Sequence, residues 1–447
     1  MGARSKLAVL AGVVAVTMLG ASTAIQAQLF RARDPGLRPG PPAAGGSLAG
    51  LTSDEQSLFQ DGLDEFSDVD GIGEGLGPRF NLDSCLGCHS QPAAGGSAPA
   101  VNPQVAGETA FGARNVVPSF ITLTGPVREA RFKFKPDGTH DGGVHALFVI
   151  SGRLDSSGDA RGCTATQEDF ETQVRHNNVS FRIPTPTFGL GLVELVPDRV
   201  IVTNQNANAA VKSLAGITGR PNRNGNDGTI TRFGWKAQNK SLLLFSGEAY
   251  NVEMGISNEL FQSERDETPS CQFKTVPNTI TAVGSPSNIE KFAFFMRFLA
   301  PPSPSTAVPG GTASIAHGRQ LFTSTGCHLC HTPTLRTGDA AVTALANRDL
   351  NLYSDLLLHG MGPELADDIS QAEAGPDEFR TAPLWGLGQR IFLLHDGRTT
   401  DLLEAIRAHR SAGNGRFRPS EASLVIDRFS ALNERDKQDL LNFLRSL

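Results

Sequence analysis

The sequence predicts a mainly α-helical protein made of two similar halves, the first of which is enlarged by β and loop insertions. Three observations support this prediction. A Cys-x-x-Cys-His pentad occurs once in each half, at residues 85–89 and 327–331. Residues 181–191 (FRIPTPTFGLG) are echoed by residues 379–388 (FRTAPLWGLG), which indicates an internal duplication. Between the halves lies a Pro- and Gly-rich stretch, residues 301–311, which is typical of a linker.

Helix signals accompany the pentads in both halves. Before the first pentad, Thr52 or Ser53 with a Glu or Gln three residues later indicates a helix start. Before the second pentad, residues 313–322 predict a shorter helix. Near the C-terminus, Asn433 predicts an N-cap, and the apolar positions in residues 440–447 follow helical spacing. A helix before each pentad and a closing helix would enclose a flat ligand between them.

The first half contains two insertions. The first insertion, residues 100–180, is expected to be partly β because segments such as residues 144–150 alternate. The second, residues 204–227, is rich in Asn and Gly and is expected to be a surface loop. Four basic residues that alternate with phenylalanines are interpreted as the solvent face of a strand: Arg128, Arg131, Lys133 and Lys135.

Each pentad carries the residues that attach a c-type haem, because its two thiols add to the porphyrin and its histidine becomes an axial iron ligand. With six Cys and ten His in the chain, chance gives on the order of 0.002 pentads, so two are a strong signal. A structural zinc site needs its ligands in one cluster, and a redox-active dithiol does not need the histidine. The sequence therefore predicts two covalently attached c-type haems in two cytochrome c-like domains, held by Cys85, Cys88 and His89 and by Cys327, Cys330 and His331.

The N-terminus predicts export from the cytoplasm. Arg4 and Lys6 precede an apolar run, residues 7–20, and small residues follow it as cleavage sites. That run is shorter than the roughly 20 apolar residues of a membrane span, so we expect a periplasmic or secreted protein without a stable span. The expected division of the chain is a signal peptide (1–27), a Pro/Gly-rich leader (28–50), a first haem domain (51–300), a linker (301–311) and a second haem domain (312–447).

Charge and the remaining cysteines add two expectations. A net charge of −6 with interspersed signs gives no basic surface for nucleic acid. Cys163 and Cys271 lie in polar segments of a protein expected in an oxidising compartment, so we expect them to form a disulfide. Two buried free thiols are the alternative.

Taken together, these residues resemble the bacterial di-haem cytochrome c peroxidase superfamily, and more closely its branch of di-haem oxidoreductases, described as peroxidases or thiol oxidoreductases. The resemblance covers most of the chain after the signal peptide. It is carried by both pentads, by residues 394–398 (LHDGR) with 402–406 (LLEAI), by residues 253–255 (EMG) and, loosely, by residues 233–237 (FGWKA).

The resemblance implies that peroxide or another small oxidant reacts at the first haem. A small periplasmic electron-donor protein would deliver electrons through the second. Relatives also hold a calcium ion between their domains, so Ca2+ stays open as a further cofactor, although no Asp-x-Asp-x-Asp loop marks a site for it.

The resemblance also implies roles for individual residues. His409, fourteen residues after His395, has the family's position for the distal ligand of the second iron, and Met361 is the competing ligand. Glu253 has the position of the acid/base that moves a proton between the two peroxide oxygens. Trp235 has that of an aromatic relay between the haems. The alternatives are that His409 lies on a helix surface, that Glu253 is a solvated surface charge and that Trp235 is part of the core.

The resemblance further implies an open sixth position at the first iron. Peroxidases that need reductive activation have a blocking histidine about sixteen residues after the pentad, where this chain has Val105, and no histidine occurs in residues 90–139. His145 and Met254 remain candidates to block the iron from a distance. The family's glutamine before the acid/base is absent, since residues 242–245 are apolar. This predicts a distal pocket that is more apolar than a peroxidase normally keeps and argues against high peroxidase turnover.

Two functions from different classes follow. The first is a peroxidase-like oxidoreductase that uses Glu253. The second is an electron carrier in which both irons have six ligands. Oxidation of a protein or thiol substrate is a weaker third possibility, which depends on the resemblance alone.

Overall fold

The computed structural model describes residues 30–447, so the expected signal peptide lies outside the described residues. The α-helices of that range are α1 (Ser53–Ser67), α2 (Cys85–Cys88), α3 (Gln104–Gly107), α4 (Phe170–Arg175), α5 (Leu190–Glu194), α6 (Asp198–Asn206), α7 (Ala209–Ala215), α8 (Leu242–Met254), α9 (Asn288–Phe298), α10 (Gly311–Thr325), α11 (Leu402–Ala408), α12 (Ser423–Ala431) and α13 (Glu434–Ser446). The strands are β1 (Arg79–Phe80), β2 (Glu129–Phe132), β3 (Val144–His145), β4 (Phe148–Val149), β5 (Val179–Arg182), β6 (Asn222–Arg223), β7 (Ile230–Thr231), β8 (Leu335–Arg336), β9 (Asp349–Leu350), β10 (Leu358–Gly360) and β11 (Glu378–Arg380).

The two halves are built on equivalent helix pairs. In the first half α1 packs across α9, and in the second α10 packs across α13. A glycine makes each crossing close, because a Cβ on Gly62 would collide with the carbonyl oxygen of Lys291, and a Cβ on Gly318 with that of Asp439. In each half, the helix before the pentad therefore crosses a later helix of the same half at a glycine.

The internal sequence repeat forms the same contact in both halves. A Cβ on Gly191 would collide with the carbonyl oxygen of Arg297 near the end of α9. A Cβ on Gly388 would collide with that of Arg445 near the end of α13. The Gly-Leu-Gly sequences thus lie against the C-terminal end of the second helix of each pair.

Local capping agrees with the sequence. Thr52 and Glu55 form a reciprocal capping box at the start of α1. The side chain of Asn433 accepts hydrogen bonds from two backbone N–H groups in the first turn of α13. Such caps satisfy backbone donors that have no partner within the helix, so they mark where a helix begins.

The fold is mixed, which corrects the prediction of a mainly helical protein. Helix accounts for 32% of the described residues and strand for 11%, so a large part of residues 30–447 is irregular. The strands of residues 30–447 form five small antiparallel sheets, of which β3-β2-β5 in the first insertion is the largest.

Residues 204–227 are not a simple loop, because the end of α6, α7 and β6 lie there. Lys212 holds this segment by donating hydrogen bonds to the carbonyls of Asn204 and Gln205.

The first residues of the Pro/Gly-rich leader run along the second half of the protein, whereas Leu48 bonds to Phe298 in the first half. Asp34 accepts a 2.6 Å hydrogen bond from the buried guanidinium of Arg445, and the backbone N–H of Arg38 donates to Gly388 at 2.7 Å. Within residues 30–447, no helix combines the length and apolar character needed to cross a membrane.

Candidate functional site

Each pentad lies in the wall of a large cavity. The first cavity, beside Cys85, Cys88 and His89, has a volume of about 170 Å³. The second, beside Cys327, Cys330 and His331, has a volume of about 220 Å³. Both sets of pentad side chains that sequence analysis singled out therefore face a cavity.

The pentad histidines are oriented in the same way. Nδ1 of His89 lies 2.9 Å from the carbonyl oxygen of Gly96, and Nδ1 of His331 lies 3.0 Å from that of Tyr353. Because a carbonyl only accepts hydrogen bonds, Nδ1 carries the proton and Nε2 keeps a free lone pair. Burial lowers the pKa of both imidazoles, that of His331 to about 4 with a contribution from His409. Both rings are thus neutral, as a metal ligand must be.

A second histidine with this geometry faces the second cavity. His409 caps the C-terminus of α11, and its Nδ1 lies 2.7 Å from the carbonyl oxygen of Ala405. Its Nε2 is therefore free, and its proximity to His331 lowers the pKa of that residue. Met361 lines the same cavity. The structure brings His331, His409 and the competing ligand Met361 together.

His359, which the sequence analysis did not single out, also lines the second cavity. Its Nε2 lies 3.0 Å from Asp355 and its Nδ1 lies 2.7 Å from Glu421. Both ring nitrogens are occupied by carboxylates, so this side chain has no lone pair to offer iron. His359 lies 3.7 Å from Cys330 and places a charged cluster beside the attachment cysteine.

The first cavity has a different composition. Within residues 30–447, His89 is its only histidine. The candidate His145 lies outside the cavity, where its ring stacks on Phe132 and contacts Asp141 at 3.0 Å. The other candidate, Met254, lines the cavity, but its Sδ lies 3.8 Å from Sγ of Cys85.

Glu253 lines the first cavity and belongs to a pair of carboxyl groups. Its Oε2 accepts a 2.6 Å hydrogen bond from Asn81. Burial, with the neighbouring Glu129, raises the pKa of Glu253 well above its usual range. Burial alone would also raise the pKa of Glu129, but Arg131 and Arg182 outweigh it and lower that pKa. The surroundings therefore favour the neutral form of Glu253 and the ionised form of Glu129.

The first cavity is lined mostly by apolar side chains, but it also contains polar groups. Gln104 and Gln238 line the cavity, and they come from segments far from residues 242–245, where the missing glutamine was expected. Oε1 of Gln238 and Oγ of Ser246 are buried there without a hydrogen-bond partner in the described residues. The interpretation of Arg131 as solvent-facing is wrong, because it is 8% exposed and lies in the cavity wall.

Trp235 lines both cavities. Its indole N–H donates to the carbonyl oxygen of Ile183 at 2.9 Å, which fixes the ring. His395 meets it edge-on, with ring centroids 6.4 Å apart, and stacks on Phe379 at 4.3 Å. The other tryptophan, Trp385, is buried in the core and lines neither cavity.

A buried ion triad connects the walls of the two cavities. Asp367 accepts from Arg182 at 2.6 Å and lies 3.0 Å from Nζ of Lys236. Arg182 lines the first cavity. Lys236 lies 4.2 Å from the ring centroid of Phe379, which lines the second. The triad therefore fixes elements of both cavity walls relative to one another.

The cavities contain donors that suit the carboxylates of a haem. Arg380 and Arg390 line the second cavity, and neither forms an ion pair with a carboxylate in residues 30–447. Burial lowers the pKa of each to about 10, and Nε of Arg390 has no hydrogen-bond partner there. Arg128 in the first cavity bonds only to backbone carbonyls. A buried cation without a counter-charge is costly, so these residues fit a ligand with peripheral carboxylates.

Two predictions concern groups outside the cavities. Cys163 and Cys271 are joined as a disulfide. Within the described residues, no three His, Cys, Asp or Glu side chains converge in a way that would hold a metal ion. Calcium therefore stays an expectation from the resemblance.

Comparisons with solved structures give weak similarity. A MauG-like protein associated with microbial copper homeostasis is 18% identical, with 59% of this chain and 90% of that chain covered and a TM-score of 0.31. Hydrazine synthase of Kuenenia stuttgartiensis is 16% identical, with 45% of this chain covered, only 60% of that chain spanned and a TM-score of 0.26. Neither TM-score supports an argument.

Sequence comparison is more decisive. No curated protein matches the chain. The family model described as "Di-haem oxidoreductase, putative peroxidase" matches residues 130–447, which is well over half of the chain and includes the second pentad, Glu253 and His409. The chain therefore belongs to the di-haem oxidoreductase family.

Proposed function

We propose that this protein is a periplasmic, peroxidase-like oxidoreductase with two covalently attached c-type haems in two cytochrome c-like domains. One observation carries the proposal: the two cavities differ in what accompanies the pentad histidine. The second cavity has His409 with a free Nε2. The first has no second histidine among the described residues and contains Glu253 and Glu129 instead. This asymmetry suits one reactive site and one site that only transfers electrons.

The pentad side chains would hold the haems, with His89 and His331 as proximal ligands and His409 as the distal ligand of the second. When bound, the haems supply one-electron transfer and a reaction centre for peroxide. The reduction consumes one peroxide, two electrons and two protons, breaks the O–O bond and releases two waters. The electrons would come from a small periplasmic electron-donor protein.

Glu253 would supply the proton chemistry. A proton on its carboxyl group can be given to the departing peroxide oxygen, and the carboxylate can then take one from the other oxygen. Burial and the neighbouring Glu129 raise its pKa, which favours the protonated form that donates. Asn81 holds Oε2 in place, which limits the positions from which the proton is delivered.

Trp235 would serve as the relay between the two sites. It lines both cavities, and its ring is fixed by its hydrogen bond to Ile183. A fixed aromatic ring shared by two sites shortens the distance that each electron must cross. Trp235→Phe keeps an aromatic ring but removes the indole, and we expect it to slow electron transfer between the sites without changing ligand binding at either.

The test uses the exported holoprotein with both haems attached. We expect cyanide and peroxide to change the absorption spectrum of one haem only. We also expect Glu253→Gln to slow peroxide reduction by about 100-fold or more. The matched control is Glu168→Gln, which removes a carboxylate that contacts His145 at 3.5 Å outside both cavities. If neither ligand perturbs the spectrum, or if Glu253→Gln reduces peroxide as fast as the control, the proposal is wrong.

A pure electron carrier is the second candidate. Two methionines, Met254 and Met296, line the first cavity, and a thioether ligand from either would give that iron six ligands. This function predicts two low-spin irons that are inert to cyanide. In that case either Met254→Leu or Met296→Leu should remove the sixth ligand, and the first haem of that variant should then bind cyanide.

A further inference from the structure

We propose that Tyr250 is a redox-active residue of the first cavity, which gives one electron to the peroxide reaction while its phenolic proton moves to Asp70. The inference rests on the proposed function, because peroxide is the oxidant that draws the electron. The chain contains only two tyrosines, Tyr250 and Tyr353. Each can therefore be removed separately, and a radical can be assigned to one of them.

Tyr250 lies close to the place where the first haem would be attached. It lines the first cavity together with Cys85, yet it is only 2% exposed. Met254 follows it on α8 after about one helical turn, or about 6 Å, and Sδ of Met254 lies 3.8 Å from Sγ of Cys85. The ring of Tyr250 is thus near the attachment cysteine but shielded from water, which protects a radical from reaction with solvent.

The hydroxyl group of Tyr250 already contacts a proton acceptor. It donates a 3.2 Å hydrogen bond to Oδ1 of Asp70, which is 5% exposed, and it accepts one of 3.2 Å from Nδ2 of Asn288. A tyrosine that loses an electron also releases its phenolic proton, so its oxidation is easiest where a base is already positioned to take that proton. The carboxylate of Asp70 is such a base.

Asp70 has no cation to compensate its charge within residues 30–447. The hydroxyl of Tyr250 is the side-chain group there that donates to its carboxylate. The charged groups that act on Asp70 most strongly are acidic, namely Glu65, Glu74 and Asp68. A buried carboxylate without a counter-charge lowers stability, so this contact is not explained by packing of the core. The negative surroundings favour removal of an electron from Tyr250, since the transferred proton then neutralises Asp70.

Tyr353 has a different environment and serves as the matched control. It lines neither cavity, and its ring packs edge-on against Phe322 and Phe443 with both pairs of centroids 5.8 Å apart. Its backbone carbonyl accepts from His331, and Tyr353→Phe keeps that carbonyl. The control therefore removes a tyrosine hydroxyl without removing the hydrogen bond that orients the pentad histidine.

The electrons and protons of this step balance. One peroxide takes one electron from Tyr250 and one from the haem iron, takes up two protons and leaves as two waters. At Tyr250 the phenolic O–H bond breaks and a new O–H bond forms on Asp70, which leaves a neutral phenoxyl radical. An electron from the donor protein, delivered through the second haem and Trp235, later restores the phenol as the proton returns from Asp70. Tyr250 therefore holds an oxidising equivalent while electron delivery is slow.

Rapid-freeze electron paramagnetic resonance of the holoprotein, after addition of peroxide without an electron donor, tests the inference. The sample is kept at pH 8, because burial raises the pKa of Asp70 to about 7 and its carboxylate is ionised at that pH. We expect an organic radical signal that narrows when the protein contains ring-deuterated tyrosine. The signal should disappear in Tyr250→Phe and remain in Tyr353→Phe. It should fall at least about 10-fold in Asp70→Asn, because an amide does not take the proton.

The outcomes separate this inference from the proposed function. A signal that survives in Tyr250→Phe, or that deuterated tyrosine does not narrow, overturns the assignment, and an undiminished signal in Asp70→Asn overturns the role of Asp70. Peroxide reduction without a tyrosine radical refutes the inference alone. A tyrosine radical in a protein that does not turn over peroxide supports the inference and refutes the function. The haem absorption spectrum shows whether each variant has folded, and Asp70→Asn keeps the test decisive if Tyr250→Phe does not fold.

Discussion

Asp367→Asn tests the buried ion triad that connects the two cavity walls. The side chains of Asp367 and Lys236 are both 0% exposed, and that of Arg182 is 3% exposed. The substitution keeps the size of the side chain but removes the carboxylate that pairs with both buried cations. Breaking a buried pair in this way costs about 3 to 5 kcal/mol.

The two cations do not contribute equally to that cost. Burial, outweighing Asp367, lowers the pKa of Lys236 to about 8, so releasing its proton at pH 7 costs only about 1 kcal/mol. Lys236 can therefore escape most of the penalty by becoming neutral. Arg182 cannot lose its proton in a protein. Most of the loss is thus expected from Arg182, which lines the first cavity.

Chemical denaturation of the holoprotein at pH 7 measures the loss. The matched control is Asp349→Asn, which breaks an ion pair with Arg336 whose side chains are 65% and 56% exposed. Exposed pairs contribute about 0 to 1 kcal/mol. We expect Asp367→Asn to lower the free energy of unfolding by at least about 2 kcal/mol more than the control does. Equal losses in the two variants would refute the argument for the triad.

Three further predictions follow from other contacts. Burial raises the pKa of Asp70 to about 7. The stability that its protonated form contributes is therefore present below pH 4 and is lost as the pH rises through 7. Asp70→Asn should have the same free energy of unfolding as the wild type at pH 4, and a free energy of unfolding up to about 4 kcal/mol higher at pH 8. Replacing Cys163 and Cys271 with Ser should lower stability by up to about 4 to 5 kcal/mol, since the disulfide closes a long loop; a loss below about 1 kcal/mol would contradict this. Arg380→Gln removes a buried cation from the second cavity and should lower the reduction potential of that haem in a spectroelectrochemical titration, while an unchanged potential would exclude this role.

Local signals in the sequence predicted the parts of the fold that depend on local contacts. Thr52 and Asn433 cap helices where the sequence indicated, because a cap bonds to backbone groups within a few residues. The Gly-Leu-Gly repeat indicated equivalent packing in the two halves. The helix crossings at Gly62 and Gly318 were not predicted, although glycine within an apolar helix pattern is a usable signal for close packing.

The candidate site was predicted less completely. The pentads identified His89 and His331, but Glu129 was missed because its partner Glu253 is far away in the sequence. The strand that contains Arg131 was expected, yet its side chain was assigned to solvent. Alternation shows that a strand has two faces, but not which face is covered by a distant segment. The carboxylate cluster around His359 was missed for the same reason, since it joins β10 to the segment before α12.

Electron paramagnetic resonance of the air-oxidised holoprotein, before and after addition of cyanide, tests the central claim most directly. We expect one high-spin signal that cyanide converts to low spin, and one low-spin signal that cyanide leaves unchanged. His409→Ala should make the second signal sensitive to cyanide, whereas Met361→Leu should not. Two low-spin signals that are both inert to cyanide in the wild type would contradict an open first site and leave electron transfer as the function.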